Sequence, residues 1–195
     1  IDRYRGESYN YYKLYTGKGD DGTTGTFGCD QRISKSSAIA EALGSLDEIN
    51  SFLGICKSAS LRTHFKVEKK SFSDIINDTQ ENLFIVQAEI AGADKKINNK
   101  KVKEIEILIN KIEKELPPIS SFFVPGASVM SALFDYARTV ARRAERRIVA
   151  VSEEGKVNID QWTLAYLNRL SSLLYALARY SNFKAGIPEI PPSYK

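Results

Sequence analysis

The chain has 195 residues, with 28 Lys and Arg against 24 Asp and Glu, two cysteines and one histidine. A chain of this length can remove roughly 70% of its unfolded surface from water as one domain, and Cys29 and Cys56 are too few for a disulfide framework or a Cys-rich zinc site. No stretch approaches the ~20 uncharged apolar residues of a membrane span, residues 1–10 are too polar for a signal peptide, and a net charge of +4 suits an anionic ligand as well as a nucleic acid; a soluble, cytoplasmic protein is expected.

Residues 1–14 read as an N-terminal extension. The stretch that follows is different, with Gly17, Gly19, Gly22, Gly25 and Gly28 set among Thr16, Thr23, Thr24 and Thr26, a loop composition without helical period. From Ser36 onward apolar residues return every three or four positions. Ile39, Leu43, Leu46 and Leu53 mark a first helix, and Phe72, Ile75, Ile76, Leu83, Val86 and Ile90 a second. Val102, Ile105, Ile109, Ile112 and Leu116 mark a third, Val129, Leu133, Tyr136, Val140, Ala144 and Val151 a fourth, and Leu164, Leu167, Leu170, Leu174 and Leu177 a fifth. Asn98-Asn99, Pro117-Pro118, Val124-Pro125-Gly126 and Glu154-Gly155 punctuate them. An all-α five-helix bundle over residues 15–183 is predicted, with a glycine-rich arm over 15–35 and an extended or disordered tail over 184–195.

Gly17-Lys18-Gly19-Asp20-Asp21-Gly22 satisfies the spacing G-x-G-x-x-G, but it is not framed by a strand and a helix as a dinucleotide fold requires. Its glycines can still turn backbone N–H groups toward phosphate oxygens, with Lys18 and the threonine hydroxyls as further donors; a flexible arm is the plainer reading. The fourth helix carries five arginines between Arg138 and Arg147. Arg138, Arg142 and Glu145 fall within roughly 60° of each other, away from the aliphatic stripe. Such a run is usually a solvated face, yet the arginine fork suits phosphate and carboxylate, and a second chain could supply the opposite wall. Asn50 lies within the first helix's stripe and reads as a hydrogen-bonded core amide. Asp47 lies at its edge, as an exposed acid or an arginine's partner, and Asn168 at the edge of the fifth. His64 stands alone between helices, and no Glu-x-x-His pair occurs, so neither a histidine triad nor a di-metal bundle is expected. A catalyst that binds and positions, leaving reactivity to a cofactor, fits this poverty of acids and bases.

Three motifs, Tyr15-Thr16-Gly17-Lys18-Gly19-Asp20-Asp21-Gly22-Thr23-Thr24-Gly25, Arg32-Ile33-Ser34-Lys35 and the run from Glu41 to Ser51, resemble the N-terminal half of the PduO-type ATP:cob(I)alamin adenosyltransferases. Phe122-Phe123-Val124-Pro125-Gly126, the Arg138 to Arg147 run and Tyr166 to Ser171 resemble the C-terminal half. The resemblance implies a homotrimer with sites between subunits, and transfer of the 5′-deoxyadenosyl group of ATP to Co(I) of a reduced corrinoid. The products would be adenosylcobalamin and triphosphate. It implies that Thr16, Gly17, Lys18, Gly19, Asp20, Gly22, Thr24 and Gly25 wrap ATP, with Lys35 and Arg142 on its phosphates. Arg143, Glu145, Arg146 and Asn168 would complete that pocket. Asp47 and Arg138 match a pair that bridges subunits beside the corrinoid, and Phe122 matches the aromatic on the lower axial side of cobalt, where it favours four-coordinate Co(II). Asp47, Phe122, Arg138 and Arg142 are thereby the expected catalytic set. Mg²⁺ is implied mainly through ATP, with no ligand from protein side chains. A reductase that supplies Co(I) and an adenosylcobalamin-dependent acceptor enzyme are the implied partners. Ala127, Cys29 and Leu43 depart from the family's usual residues. A noncatalytic ATP- and corrinoid-binding sensor or delivery module is the alternative; a nucleic-acid binder is disfavoured because no recognition helix or aromatic-basic interleaving occurs.

Overall fold

In the computed structural model, which describes residues 15–26, 32–155 and 157–195, five helices start where a side chain can close the first turn. Ser37 caps α1 (Ala38–Ser60) by accepting from the Ala40 N–H at 3.3 Å. Ser71 and Asp74 form a reciprocal capping box at α2 (Phe72–Ile90). Asn98 caps α3 (Asn99–Glu115), Ser128 and Ser131 cap α4 (Val129–Glu153), and Asp160 caps α5 (Gln161–Lys184). Each supplies an acceptor for N–H groups that the helix cannot satisfy internally.

These are the five segments that the apolar spacing predicts, with ends that reach further. α1 continues past Leu53 through Cys56 and Ser60, which are buried but too small or polar to register as apolar periodicity. Two antiparallel ribbons lie outside that reading. β1 (Thr23–Thr24) pairs with β2 (Ile33–Ser34), and β3 (Lys66–Val67) with β4 (Lys70–Ser71). Strands of two residues are too short to show an alternation.

α4 packs between α1 and α5, α2 lies against α1, and α3 lies against α5 rather than beside the helix that precedes it. The segment from α3 to α4 therefore spans the end of the bundle, and it forms one wall of the cavity described below. The core holds Leu46, Ile49, Phe72, Phe134, Tyr166 and Tyr180. Phe72 meets Phe65 and Phe134 edge-on, both with ring centroids 5.7 Å apart, a favourable quadrupolar arrangement. Burial pushes the Cys56 thiol up to about 12, which makes it an inert packing group. His64 is exposed, in a left-handed turn at φ 55°.

Asn50 departs from its expected role. It is buried as anticipated and its backbone carbonyl accepts from Gln80 Nε2 at 3.0 Å, but its side-chain Oδ1 has no hydrogen-bond partner among the described residues. The amide is therefore a core residue without the satisfied side chain that its position in the stripe implied.

Glu89 is the most consequential buried acid. At 4% exposure it accepts from the N–H of Asp160, the cap of α5, at 2.7 Å and from the hydroxyl of Thr163 in its first turn. A carboxylate there satisfies orphan donors and complements the positive end of the helix dipole. Glu89→Ala would leave a half-buried N–H and a buried hydroxyl unpaired, at a cost of about 3 kcal/mol. At roughly 2–4 °C per kcal/mol for a chain of this size, a thermal melt is expected to fall by about 6–12 °C, and Glu89→Gln by less.

Candidate functional site

Residues 116–128, between α3 and α4, form no helix or strand. Pro117, Pro118 and Pro125 deny the backbone donors that a helix needs, and Gly126 adopts φ 99°, which other residues rarely reach. Together with α4 and α5 this segment encloses an open cavity of about 670 Å³. Phe122, Phe123, Asp135, Arg138, Arg142 and Tyr175 are among its lining residues. Asp135, Arg138 and Arg142 sit at intervals of three and four on α4, so one helix face delivers all three.

The cavity mixes an apolar wall with unspent cationic donors. The Phe122 ring is 78% exposed, held out from the bundle rather than folded into it. Arg138 is partly buried with its guanidinium 5.9 Å from the centre of the Tyr175 ring. Its Nε is buried and has no hydrogen-bond partner among the described residues. Arg142 is exposed at the cavity rim and makes no ion pair with a described residue. Burial raises the Asp135 carboxyl above its usual range; Arg138 opposes the shift and Glu189 adds to it. Tyr175 is likewise raised, mainly by burial.

The arginine run divides between two faces of α4. Arg143 pairs with Glu48 on α1, and Arg147 approaches Glu41 at 3.8 Å, so these two tie α4 to α1. Arg138 and Arg142 turn to the cavity, and Arg146 is exposed without an ionic partner among the described residues. Beside this face, Asn168 donates Nδ2 to Glu145 Oε1 at 3.1 Å and accepts from Arg169 Nη1 at 2.8 Å. Arg169 in turn donates Nε to Glu106 at 2.9 Å, so the polar chain joins α4, α5 and α3.

The glycine-rich segment has its own local order. The Lys35 N–H donates to Gly22 O at 2.9 Å and its ammonium to Gly19 O at 2.8 Å. A Cβ at Gly19 would lie 3.0 Å from Thr23 O and 3.1 Å from Lys35 Nζ, so the close approach selects glycine. Gly22, at φ 79°, turns the chain into β1. Asp21 accepts from the Thr23 N–H at 2.9 Å and the Thr23 hydroxyl at 2.7 Å, which holds its carboxyl below the usual range. Arg32 donates to the Thr23 hydroxyl at 2.6 Å and to its carbonyl at 2.8 Å.

Phe122, Arg138 and Arg142 thus converge on one cavity, and Glu145 and Asn168 meet each other. Thr16, Gly17, Lys18, Gly19, Asp20, Gly22, Thr24, Gly25 and Lys35 gather in the segment before α1. Among the described residues no hydrogen bond or ion pair joins that segment to the α4 and α5 groups. Asp47 is exposed on α1, also without an ionic partner there. Cys29 and residues 1–14 lie outside the described residues. No three His, Cys, Asp or Glu side chains among the described residues come together as a metal site, and no helix there is long and apolar enough to cross a membrane. Asp135 and Tyr175 escaped the sequence reading; the position of Asp135 one turn before Arg138 on the same face was the available signal.

Comparison with known proteins places this geometry in a family. The cobalamin adenosyltransferase family model matches residues 14–181. The chain is 36% identical to the corrinoid adenosyltransferase PduO of Salmonella typhimurium over 85% of its own length and 48% of that protein. It thus spans about half the length of that relative, and of a Citrobacter freundii counterpart. It is 35% identical to the Bacillus subtilis corrinoid adenosyltransferase over 91% of both chains. Among solved structures, a Phe-to-His variant of the Lactobacillus reuteri PduO-type ATP:corrinoid adenosyltransferase, complexed with cobalamin and ATP, superposes with a TM-score of 0.82 at 28% identity. The match covers 93% of this chain and 97% of that one. An Arg-to-Lys variant of the same enzyme, complexed with ATP, superposes with a TM-score of 0.80 at 27% identity. By family match, sequence identity and fold together, the chain belongs to the cobalamin adenosyltransferase family.

Proposed function

We propose that this chain transfers the 5′-deoxyadenosyl group of ATP to the Co(I) centre of a reduced corrinoid, giving adenosylcobalamin and triphosphate. The observation that carries the reading is the convergence of Phe122, Arg138 and Arg142 on one open cavity whose arginines have donors to spare. In the reaction Co(I) supplies an electron pair to C5′ of the ribose. The Co–C bond forms as the C5′–O bond breaks, and the leaving pair stays on the triphosphate. No proton is transferred, so the protein's task is alignment and stabilisation of the leaving anion.

Thr16, Gly17, Lys18, Gly19, Asp20, Gly22, Thr24 and Gly25 would wrap the nucleotide, with Lys35 and Arg142 on the phosphates. The Lys35 ammonium already faces the backbone of that segment, and the Glu145–Asn168 pair offers a pre-organised polar edge. Arg146 has no competing ion pair among the described residues, whereas Arg143 would have to leave Glu48 to reach a phosphate. Mg²⁺ would be held mainly by the triphosphate, as the family resemblance implies. Phe122 would lie below the corrinoid, excluding water and an axial base.

A homotrimer belongs to the same reading. Among the described residues, Arg138 has a buried donor lacking an acceptor, and Asp47 is an exposed acid lacking a cation. A second copy would join them beside the corrinoid and close the cavity. The protein would act in the cytoplasm, taking Co(I) from a reductase and passing product to an adenosylcobalamin-dependent enzyme. Residues 15–183 would form the catalytic unit.

ATP labelled with ¹³C at C5′ tests the chemistry. Incubated anaerobically with the protein and cob(I)alamin, it is expected to yield a cobalt-bound labelled carbon in the NMR spectrum, lost on illumination. Label that remains in ATP, or appears only in ordinary nucleotide products, would refute the transfer.

A further inference from the structure

Phe122 is exposed, and residues 117–121 before it are exposed as well. The anchors lie on either side. Before it, Arg179 of α5 donates Nη2 to Pro117 O at 3.1 Å. After it, the guanidinium of Arg179 sits 5.2 Å from the centre of the Phe123 ring. The Val124 N–H then donates to Ile190 O at 2.8 Å, and the Ser128 hydroxyl donates to Asn182 Oδ1 at 2.8 Å.

Arg179 is 5% exposed, and among the described residues its charge is met by one carboxylate, Glu189, which accepts from Nε at 2.9 and 3.3 Å. Glu189 and Ile190 both belong to the segment after α5. From residue 187 that segment forms no helix or strand, and Glu189 and Ile190 fasten it to Arg179 and Val124 beside the cavity wall. A shielded, charge-assisted pair of this kind has a fixed geometry, and loss of one partner leaves the other charge uncompensated.

We propose that Arg179 and Glu189 are positioning residues, a latch through which the C-terminal segment holds the Phe122 loop in register over the corrinoid side of the cavity. The proposal rests on the corrinoid reading above. It distinguishes the two ligands, because the latch touches the Phe122 loop and none of the residues assigned to ATP.

Separate equilibrium titrations with cob(II)alamin and with ATP test it on the full chain. Glu189→Ala is expected to raise the corrinoid Kd about tenfold and to leave the ATP Kd within about twofold. Glu189→Gln keeps an oxygen for Arg179 Nε and should fall between wild type and alanine, which also decides the matter if the alanine variant fails to fold. Corrinoid affinity unchanged in the folded variants, or ATP affinity falling in parallel, would overturn the latch. The constants do not depend on turnover. A wild-type chain that binds both ligands without forming a Co–C bond would overturn the transfer reading, and the same constants would still decide the latch.

Discussion

Arg142→Ala is expected to lower kcat for adenosyl transfer by about 10²–10³-fold, the cost of losing a pre-organised donor to a developing anion. The side chain is exposed at the cavity rim and has no ionic partner among the described residues, so its removal leaves no buried group unsatisfied. The thermal midpoint should therefore stay within about 2 °C of wild type, as for surface substitutions generally. Arg142→Lys should recover only part of the rate, because an ammonium presents a point charge where the guanidinium presents a fork. Steady-state rates beside thermal melts check both statements. Turnover unchanged in the alanine variant would remove Arg142 from the site.

Phe122→Ala carries the second large effect, and its size should depend on the oxidation state supplied. With cob(II)alamin and a reductant, transfer is expected to fall about a hundredfold, equal to ~3 kcal/mol in barrier, because water or an axial base can then reach cobalt. With chemically preformed Co(I), which needs no reduction on the protein, the loss should shrink to a few-fold. The ring is 78% exposed, so its truncation should not change the melting temperature. Equal losses with both cobalt states would show that Phe122 serves only to bind the corrinoid.

How legible these features are in the sequence depends on the physical signal each leaves. The five helices are legible because burying one face imposes a period of three to four on Ile, Leu and Val. The cavity residues Phe122, Arg138 and Arg142 are legible through the family resemblance, and the convergence of the last two follows from spacing on one helix. What each arginine meets is not, because helical spacing separates Arg143 and Arg147 from Arg138 and Arg142 but does not say which neighbour α4 turns each face toward. That packing order, with α3 against α5, is a tertiary fact that local periodicity does not carry. Glu89 looks like any helical surface acid until α5 brings its cap and first-turn donors over it. The latch is hidden for a related reason. Pro188, Pro191 and Pro192 signal an extended tail, while the pairing of Glu189 with Arg179 depends on the chain turning back after Gly186 at φ 66°.

The most direct test of the central claim is stoichiometry under anaerobic conditions, with ATP, Mg²⁺ and chemically reduced cob(I)alamin, following the corrinoid spectrum and released phosphates together. Loss of the Co(I) absorption with one intact triphosphate per light-sensitive alkylcorrinoid formed is the expected result. Binding of both ligands without that product, or release of phosphate and ADP in place of triphosphate, would contradict it.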